Sequence, residues 1–251
     1  MQVLQNDGLQ VLPPPRRVEL ISLMSVNNEI GAIWTPGEFA GHADFVHSDM
    51  TQAVGKLPID LHGIAFASLS AHKFYGPKGV GALYFKDLPP KALLLGGEQE
   101  HELRGGTLNV PGIVGMGMAA ALAEAELEAS LAHAHELRAV LLNGLRGCTD
   151  WQVLGGNTVS PYIVGLSFHG LEGETLVVEL DRAGFAISSG AACSSHSREP
   201  SHVLAVLDLE EAWARGTVRI SFGRYCTLDS VRDLSNSLRH AVENIRRMNI
   251  G

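Results

Sequence analysis

Short apolar runs separated by polar, glycine-containing links occupy the first third of the chain, a long stretch of helical spacing follows, and mixed spacing returns after it. The runs at 18–26, 44–49, 64–70 and 80–85 read as strands buried in an α/β sheet. From Pro111 to about residue 145, Ala, Leu, Glu and Met dominate. Ile113, Met116, Ala120, Ala123 and Leu127 recur in helical spacing, and Pro111 stands where a first-turn proline belongs, so the pattern predicts one long helix or two consecutive ones. Beyond it, strands are expected at 162–168, 185–189 and 217–222 and helices at 172–183, 200–207 and 228–248. Thr227 is placed to cap the last of these and Asp229 lies in its first turn. Val231, Leu234, Leu238, Val242 and Ile245 line one face of that helix, a stripe that reads as core.

This order of elements predicts an α/β protein of two parts: a partial, mainly parallel doubly wound domain over 1–128 and a smaller α/β domain over 129–251, joined through the long helix. An open parallel sheet needs several βα units, and only about four strands precede the long helix. The chain is therefore expected to begin inside the larger domain.

Composition narrows the function. With 251 residues, 45% of them hydrophobic and 18% charged, the chain can bury a sizeable core. A formal net charge of −8 argues against a nucleic-acid footprint, which needs clustered Lys and Arg, and favours small-molecule chemistry. Neither an unbroken apolar run of about 18 residues nor a basic-then-apolar N-terminus is present, so the expectation is a cytoplasmic protein without a membrane span. Cys148, Cys193 and Cys226 have neither the even count nor the CxxC spacing of a disulfide framework or zinc site. Each is a single thiol, and the protein alone offers no metal site.

Candidate chemistry gathers at strand ends. Ser70-Ala71-His72-Lys73 follows a buried run and leads into Tyr75-Gly76-Pro77-Lys78-Gly79, which puts a lysine where open α/β sheets place their ligands. Partial desolvation there keeps a fraction of an amine neutral, as Schiff-base chemistry requires; by position alone, a lysine snorkelling to solvent fits as well. Asp49, ending the preceding run in His47-Ser48-Asp49-Met50-Thr51-Gln52, is suited to hold a pyridinium nitrogen protonated, or to cap a turn. Gln52 reads as a donor to a phenolate oxygen or as a surface amide. Asn27-Asn28-Glu29-Ile30-Gly31 supplies polar groups at the end of the run before that.

These segments, together with Arg104-Gly105-Gly106-Thr107 and Ser188-Ser189-Gly190-Ala191-Ala192-Cys193-Ser194-Ser195, stand in the order seen in cysteine desulfurases of the NifS/IscS type, of the class V aminotransferase family. The chain resembles that family over essentially its whole length. The resemblance implies a homodimer of the aminotransferase-like fold, type I of the pyridoxal-phosphate-dependent transferases. By it, Lys73 binds pyridoxal phosphate covalently, Asp49 pairs with the pyridine nitrogen, Gln52 contacts the ring hydroxyl, and Asn28 lies beside the ring and the substrate amine. Ser70 and His72 are implied as phosphate ligands, Thr107 as a ligand of the partner copy's phosphate, and Arg219 as the clamp on the substrate carboxylate. Lys73, His72 and Cys193 form the implied catalytic set. L-cysteine gives up its sulfur to Cys193, leaving L-alanine and a persulfide.

The Cys193 segment, rich in Ser, Gly and Ala, reads as a mobile loop, and with the following 199–207 it has the long IscS-like form. Such a loop suits delivery of sulfur to an iron–sulfur scaffold or another acceptor, and Cys193 can itself ligate a transient iron–sulfur cluster. Cys148 and Cys226 read as small buried hydrophobes. Three departures stand against the resemblance. The upstream strand–helix segment with a phosphate loop and a ring-stacking histidine lies outside this sequence. The link between Gly31 and Asp49 has room for only about two turns. Glu98 and His101 stand where the family has a small residue and an arginine, adding acidity near Thr107. Two other functions remain in view: a selenocysteine lyase, and a non-catalytic subunit that complements a separate N-terminal chain.

Overall fold

The computed structural model describes residues 6–7, 9–189 and 201–249. The chain divides into two compact units. A sheet unit comprises Pro13–Val26 and Trp34–Glu128, and a C-terminal unit gathers the residues up to Leu12, Asn27–Ile33 and Ala129–Gly251. A short antiparallel pair, β1 (Asn6–Asp7) and β2 (Gln10–Val11), opens the described chain.

In the sheet unit, β3 (Val18–Met24), β4 (Ala43–Asp49), β5 (Phe66–Ser70) and β6 (Gly81–Phe85) lie side by side in that order; the first three are parallel and β6 is antiparallel to β5. Alternation along β4 shows how the sheet is used. Val46 and Ser48 point to a buried face, whereas Phe45 and His47 are only half-buried and Asp49 is exposed. Leu20 and Ser22 of β3 are exposed as well, so these strands are not covered on both faces as their apolar runs suggested. A seven-residue 3₁₀ helix, Pro36–His42, leads into β4, in keeping with the two turns that the Gly31–Asp49 link allows.

A single helix, α1 (Val110–Gly144), covers the whole long helical pattern. Asn109 caps it, its Oδ1 accepting the Gly112 N–H at 3.1 Å. In the sheet unit, Ala119 and Met116 of α1 pack with Ala71, Phe74, Val54, Leu69 and Val80. By length and composition alone α1 could cross a bilayer, its most apolar window having a mean hydropathy of 1.3. Its C-terminal half is committed elsewhere, since Leu137 and Leu141 lie in the main apolar core of the C-terminal unit.

That core is built on a fully antiparallel sheet with strand order β7 (Trp151–Val153), β8 (Ile163–Phe168), β10 (Thr217–Ser221), β9 (Ser188–Ser189). Every residue of β8 is buried. Around it stand α2 (Gly173–Arg182), α3 (His202–Val206), α4 (Glu211–Arg215) and α5 (Leu228–Asn249). The predicted α5 stripe is in this core residue for residue: Val231, Leu234, Leu238, Val242 and Ile245 are all buried. Thr227 caps α5, its Oγ1 accepting the Ser230 N–H at 3.1 Å while Ser230 Oγ accepts the Thr227 N–H at 3.1 Å. The expected strand at 185–189 shrinks to its last two residues. Phe185 and Ile187 pack against the core, and among the described residues of this segment only Ser188 and Ser189 pair with β10.

Candidate active site

Parallel pairing in register brings the carboxyl ends of β4 and β5 together, with Asp49 opposite Ser68. At the end of β4, Asp49 Oδ1 accepts the Thr51 N–H at 2.9 Å, which turns the chain and leaves the second carboxylate oxygen for another donor. At the end of β5, Ser70 passes into a 3₁₀ turn, Ala71–Phe74, which carries His72 and Lys73. The turn is tied at both ends: the Ala71 N–H donates to the Val80 carbonyl at 3.1 Å, and the Gly76 N–H donates to the Ala71 carbonyl at 2.9 Å. Tyr75 takes a left-handed conformation, φ 70°, to close it. Lys73 and His72 are both exposed, which corrects the expectation of partial desolvation. The physical reason is local: their turn stands at the sheet end while its neighbours Ala71 and Phe74 take the buried positions.

The segment after Asp49 winds through successive turns, with the Ala53 and Val54 N–H groups donating to the Met50 carbonyl and those of Lys56 and Leu57 to the Ala53 carbonyl. This spacing sets Gln52 and Lys56 on one side, and Lys56 Nζ donates to Gln52 Oε1 at 3.0 Å. Burial, and after it the nearby charge of Lys73, pushes the Lys56 pKa down to about 8. One strand turn upstream, His47 spans three strands, its Nδ1 at 2.8 Å from Ser22 Oγ and its Nε2 at 3.1 Å from Ser68 Oγ. Burial lowers its pKa, opposed by the Asp49 carboxylate. Lys56 and His47 are the residues sequence reasoning missed. The i,i+4 spacing from Gln52 was the available signal for Lys56; His47 had none, because its partners are set by strand register.

In the C-terminal unit, Asn27 is buried and organises its loop from within. Its Oδ1 accepts the N–H groups of Glu29 at 2.9 Å and Ile30 at 3.0 Å. Gly31, at φ +73°, lies so close to the Ile163 carbonyl that a Cβ would sit 2.6 Å from that oxygen, so only glycine lets this loop seat on β8. The loop in turn holds Arg219 of β10, whose Nη1 donates to the Asn28 carbonyl at 2.8 Å and whose Nη2 donates to Ser188 Oγ at 3.3 Å. Arg219 Nε is buried without a hydrogen-bond partner among the described residues. Glu29 accepts from Ser201 Oγ at 2.6 Å, and Ser201 also caps α3.

Thr107 is exposed in the link before α1, beside a turn in which Gln99 Oε1 accepts the Gly106 N–H and Arg104 Nη1 donates to the Gly106 carbonyl. Glu98 and His101 are exposed too. Cys193 lies outside the described residues. Cys148 and Cys226 are half-buried free thiols packed against the main core, and burial pushes the Cys148 thiol up, away from nucleophilic character.

The structure thus brings Asp49, Gln52, Ser70, His72 and Lys73 to one sheet end in one unit, and Asn28 with Arg219 together in the other. Residues 11–234 match the family model described as aminotransferase class-V, and the chain belongs to that family. It is 40% identical over 237 residues to the cysteine desulfurase IscS of Klebsiella pneumoniae (strain 342), covering 90% of this chain and 58% of that protein. It is 41% identical over 241 residues to the mitochondrial cysteine desulfurase of Arabidopsis thaliana, covering 91% and 52%. Among solved structures it resembles a NifS-like protein with a TM-score of 0.79 and 33% identity, over 92% of this chain and 62% of the other. It also resembles DndA from Streptomyces lividans, with a TM-score of 0.67 and 37% identity over 81% and 60%. The fold is the aminotransferase-like fold of type I, and the family is pyridoxal-phosphate dependent. The chain spans a little over half the length of these curated relatives.

Proposed function

We propose that this chain is the cofactor-binding and sulfur-transferring portion of a pyridoxal-phosphate-dependent cysteine desulfurase, which converts L-cysteine to L-alanine and leaves a persulfide on Cys193. The observation that carries this reading is the convergence of Asp49, Gln52 and Lys73 at the carboxyl ends of two adjacent parallel strands. The donor set fits the cofactor. Asp49 keeps one carboxylate oxygen for a ring N–H, Gln52 has its oxygen engaged by Lys56 and so presents N–H groups to a ring oxygen, and Ser70 and His72 flank the lysine turn as phosphate ligands. When bound through Lys73, the cofactor supplies an electron sink for charge developing at the substrate Cα.

This chain's own residues do the rest. Arg219 is held by the Asn28 carbonyl and Ser188, so its fork is fixed before substrate arrives, and its unpartnered Nε is a reason to expect a further acceptor such as a carboxylate. Lys73, once released, takes the Cα proton. Cys193 attacks the substrate sulfur as its Cβ–S bond breaks; an S–S bond forms at Cys193, and protons return to Cβ and Cα to complete alanine. In this reading the working form is a homodimer, with Thr107 reaching the partner copy's phosphate, and the persulfide passes to an iron–sulfur scaffold or another acceptor in the cytoplasm.

The deciding experiment mixes the chain with pyridoxal phosphate and follows the absorbance of the lysine-bound cofactor. A band that borohydride traps on Lys73, that Lys73→Ala abolishes and that Cys193→Ala leaves intact is the expected result, with L-cysteine turnover lost in both variants. Turnover of selenocysteine surviving Cys193→Ala would instead make the chain a selenocysteine lyase. A second reading is favoured by the exposure of Lys73 and Asp49. In it the chain needs another polypeptide to complete the site, and the band appears only when the N-terminal segment of a relative is added in trans.

A further inference from the structure

Lys56 is an unusual neighbour for a cofactor lysine. It is half-buried, it lies near enough to Lys73 to feel its charge, and its ammonium is aimed at Gln52 Oε1. The backbone puts it there on purpose of shape: Gly55, immediately before it, adopts φ +74° and passes so close to Phe74 that a Cβ would lie 2.6 Å from the Phe74 Cβ. Since Phe74 follows Lys73, the 50–57 turn is seated directly on the lysine turn. A cation beside another cation and partly out of water is electrostatically unfavourable, and a surface i,i+4 pair needs neither condition.

The hydrogen bond has a consequence for chemistry. An ammonium only donates, so the atom of Gln52 that faces Lys56 is the amide oxygen, and the N–H₂ is the end left to address anything else. Without that constraint a glutamine amide rotates freely and presents oxygen or nitrogen with little preference. We propose that Lys56 is a positioning residue: its ammonium locks the Gln52 amide with N–H₂ outward, so that Gln52 acts solely as a donor to the ring oxygen of the bound cofactor. The identity of that oxygen rests on the functional reading above; the lock itself does not.

The test has two arms. In the cofactor-free chain, the side-chain amide resonances of Gln52, assigned with Gln52→Ala, are compared in native, Lys56→Met and Lys56→Arg proteins, with the backbone amide spectrum as the check on folding. The lock predicts that Lys56→Met moves the Gln52 pair to the position of a freely rotating amide and that Lys56→Arg, still donor-only, keeps it near the native position. An unchanged pair in Lys56→Met, or the same displaced pair in both variants, overturns the proposal. In the second arm, the pH midpoint of the lysine-bound chromophore is titrated by absorbance. Loss of a donor to the ring oxygen strengthens the pairing of that oxygen with the protonated nitrogen beside it, so Lys56→Met raises the midpoint by roughly one unit while Lys56→Arg does not. A midpoint that stays in place overturns the link to the ring. Absence of any chromophore in the native chain sinks the functional reading alone, because the amide resonances still decide the lock.

Discussion

Asn27 has its functional effect through other residues. Replacing it by Ala strips the acceptor from the Glu29 and Ile30 N–H groups in a buried loop, at an expected cost of about 2 kcal/mol. The same loop provides the Asn28 carbonyl that holds Arg219, so Asn27→Ala should also raise KM for L-cysteine more than it lowers kcat. Asn27→Asp, which keeps the acceptor oxygen, should retain most of both; urea unfolding and steady-state kinetics give the comparison. Lys56 makes a prediction of opposite sign. Its pKa falls from 10.5 to about 8 on folding, so its charged form is disfavoured in the native state. That penalty is fully present below about pH 8, shrinks as pH rises, and is gone above the unfolded value of 10.5. Lys56→Met should therefore stabilise the chain at pH 7, by on the order of 1 to 2 kcal/mol after loss of the Gln52 hydrogen bond, and the gain should vanish near pH 10.5. A gain independent of pH would place the effect in packing. At this scale residue type alone left Asp49, Lys73 and Arg219 open between binding and ordinary structural roles, and it was their place among ordered motifs that singled them out as candidates. It was silent on His47, whose bonds to Ser22 and Ser68 depend on three strands lying in one register.

Elements were legible wherever a period ran long enough to be read. The stripe through α5 and the apolar recurrence through α1 name helices because 22 and 35 residues repeat one pattern many times. β7, with three residues, and α4, with five, offer no such repetition and were not foreseen. β9 covers less than its predicted run because Phe185 and Ile187 pack against the core rather than pairing with β10, a choice set by tertiary contacts that the run itself does not encode. Cap chemistry, in contrast, is local and was readable. Thr227→Ala removes one half of a reciprocal pair at the start of α5 and should cost about 1 kcal/mol, measured as a lowered thermal midpoint, whereas Thr227→Ser should be close to neutral. Gly55→Ala belongs to the same scale but acts by collision. A Cβ at φ +74° against Phe74 must push the 50–57 turn away from the lysine turn, and the expected result is weaker cofactor binding out of proportion to the loss of stability.

At the scale of the molecule, the question is what covers the first half of α1. Val110, Val114, Met118 and Leu122 recur every fourth residue and form one exposed stripe, with Val114 65% and Met118 63% accessible. Leu93 and Leu95, in the link ahead of α1, are 93% and 84% accessible. Apolar surface on this scale marks an interaction face, and the homodimer reading assigns it to a second copy. Sedimentation equilibrium at micromolar concentration should then find a dimer, and the exposed double substitution Val114→Glu with Met118→Glu should return a folded monomer. Salt gives an independent check. With a formal net charge of −8 on each copy, like-charge repulsion opposes association at low ionic strength, while apolar contact is not screened. Added salt should therefore strengthen the dimer, the reverse of what an interface held by ion pairs would do. A chain that stays monomeric under both conditions would leave the stripe for a different polypeptide, and Thr107 would lose the partner phosphate that the homodimer reading assigns to it.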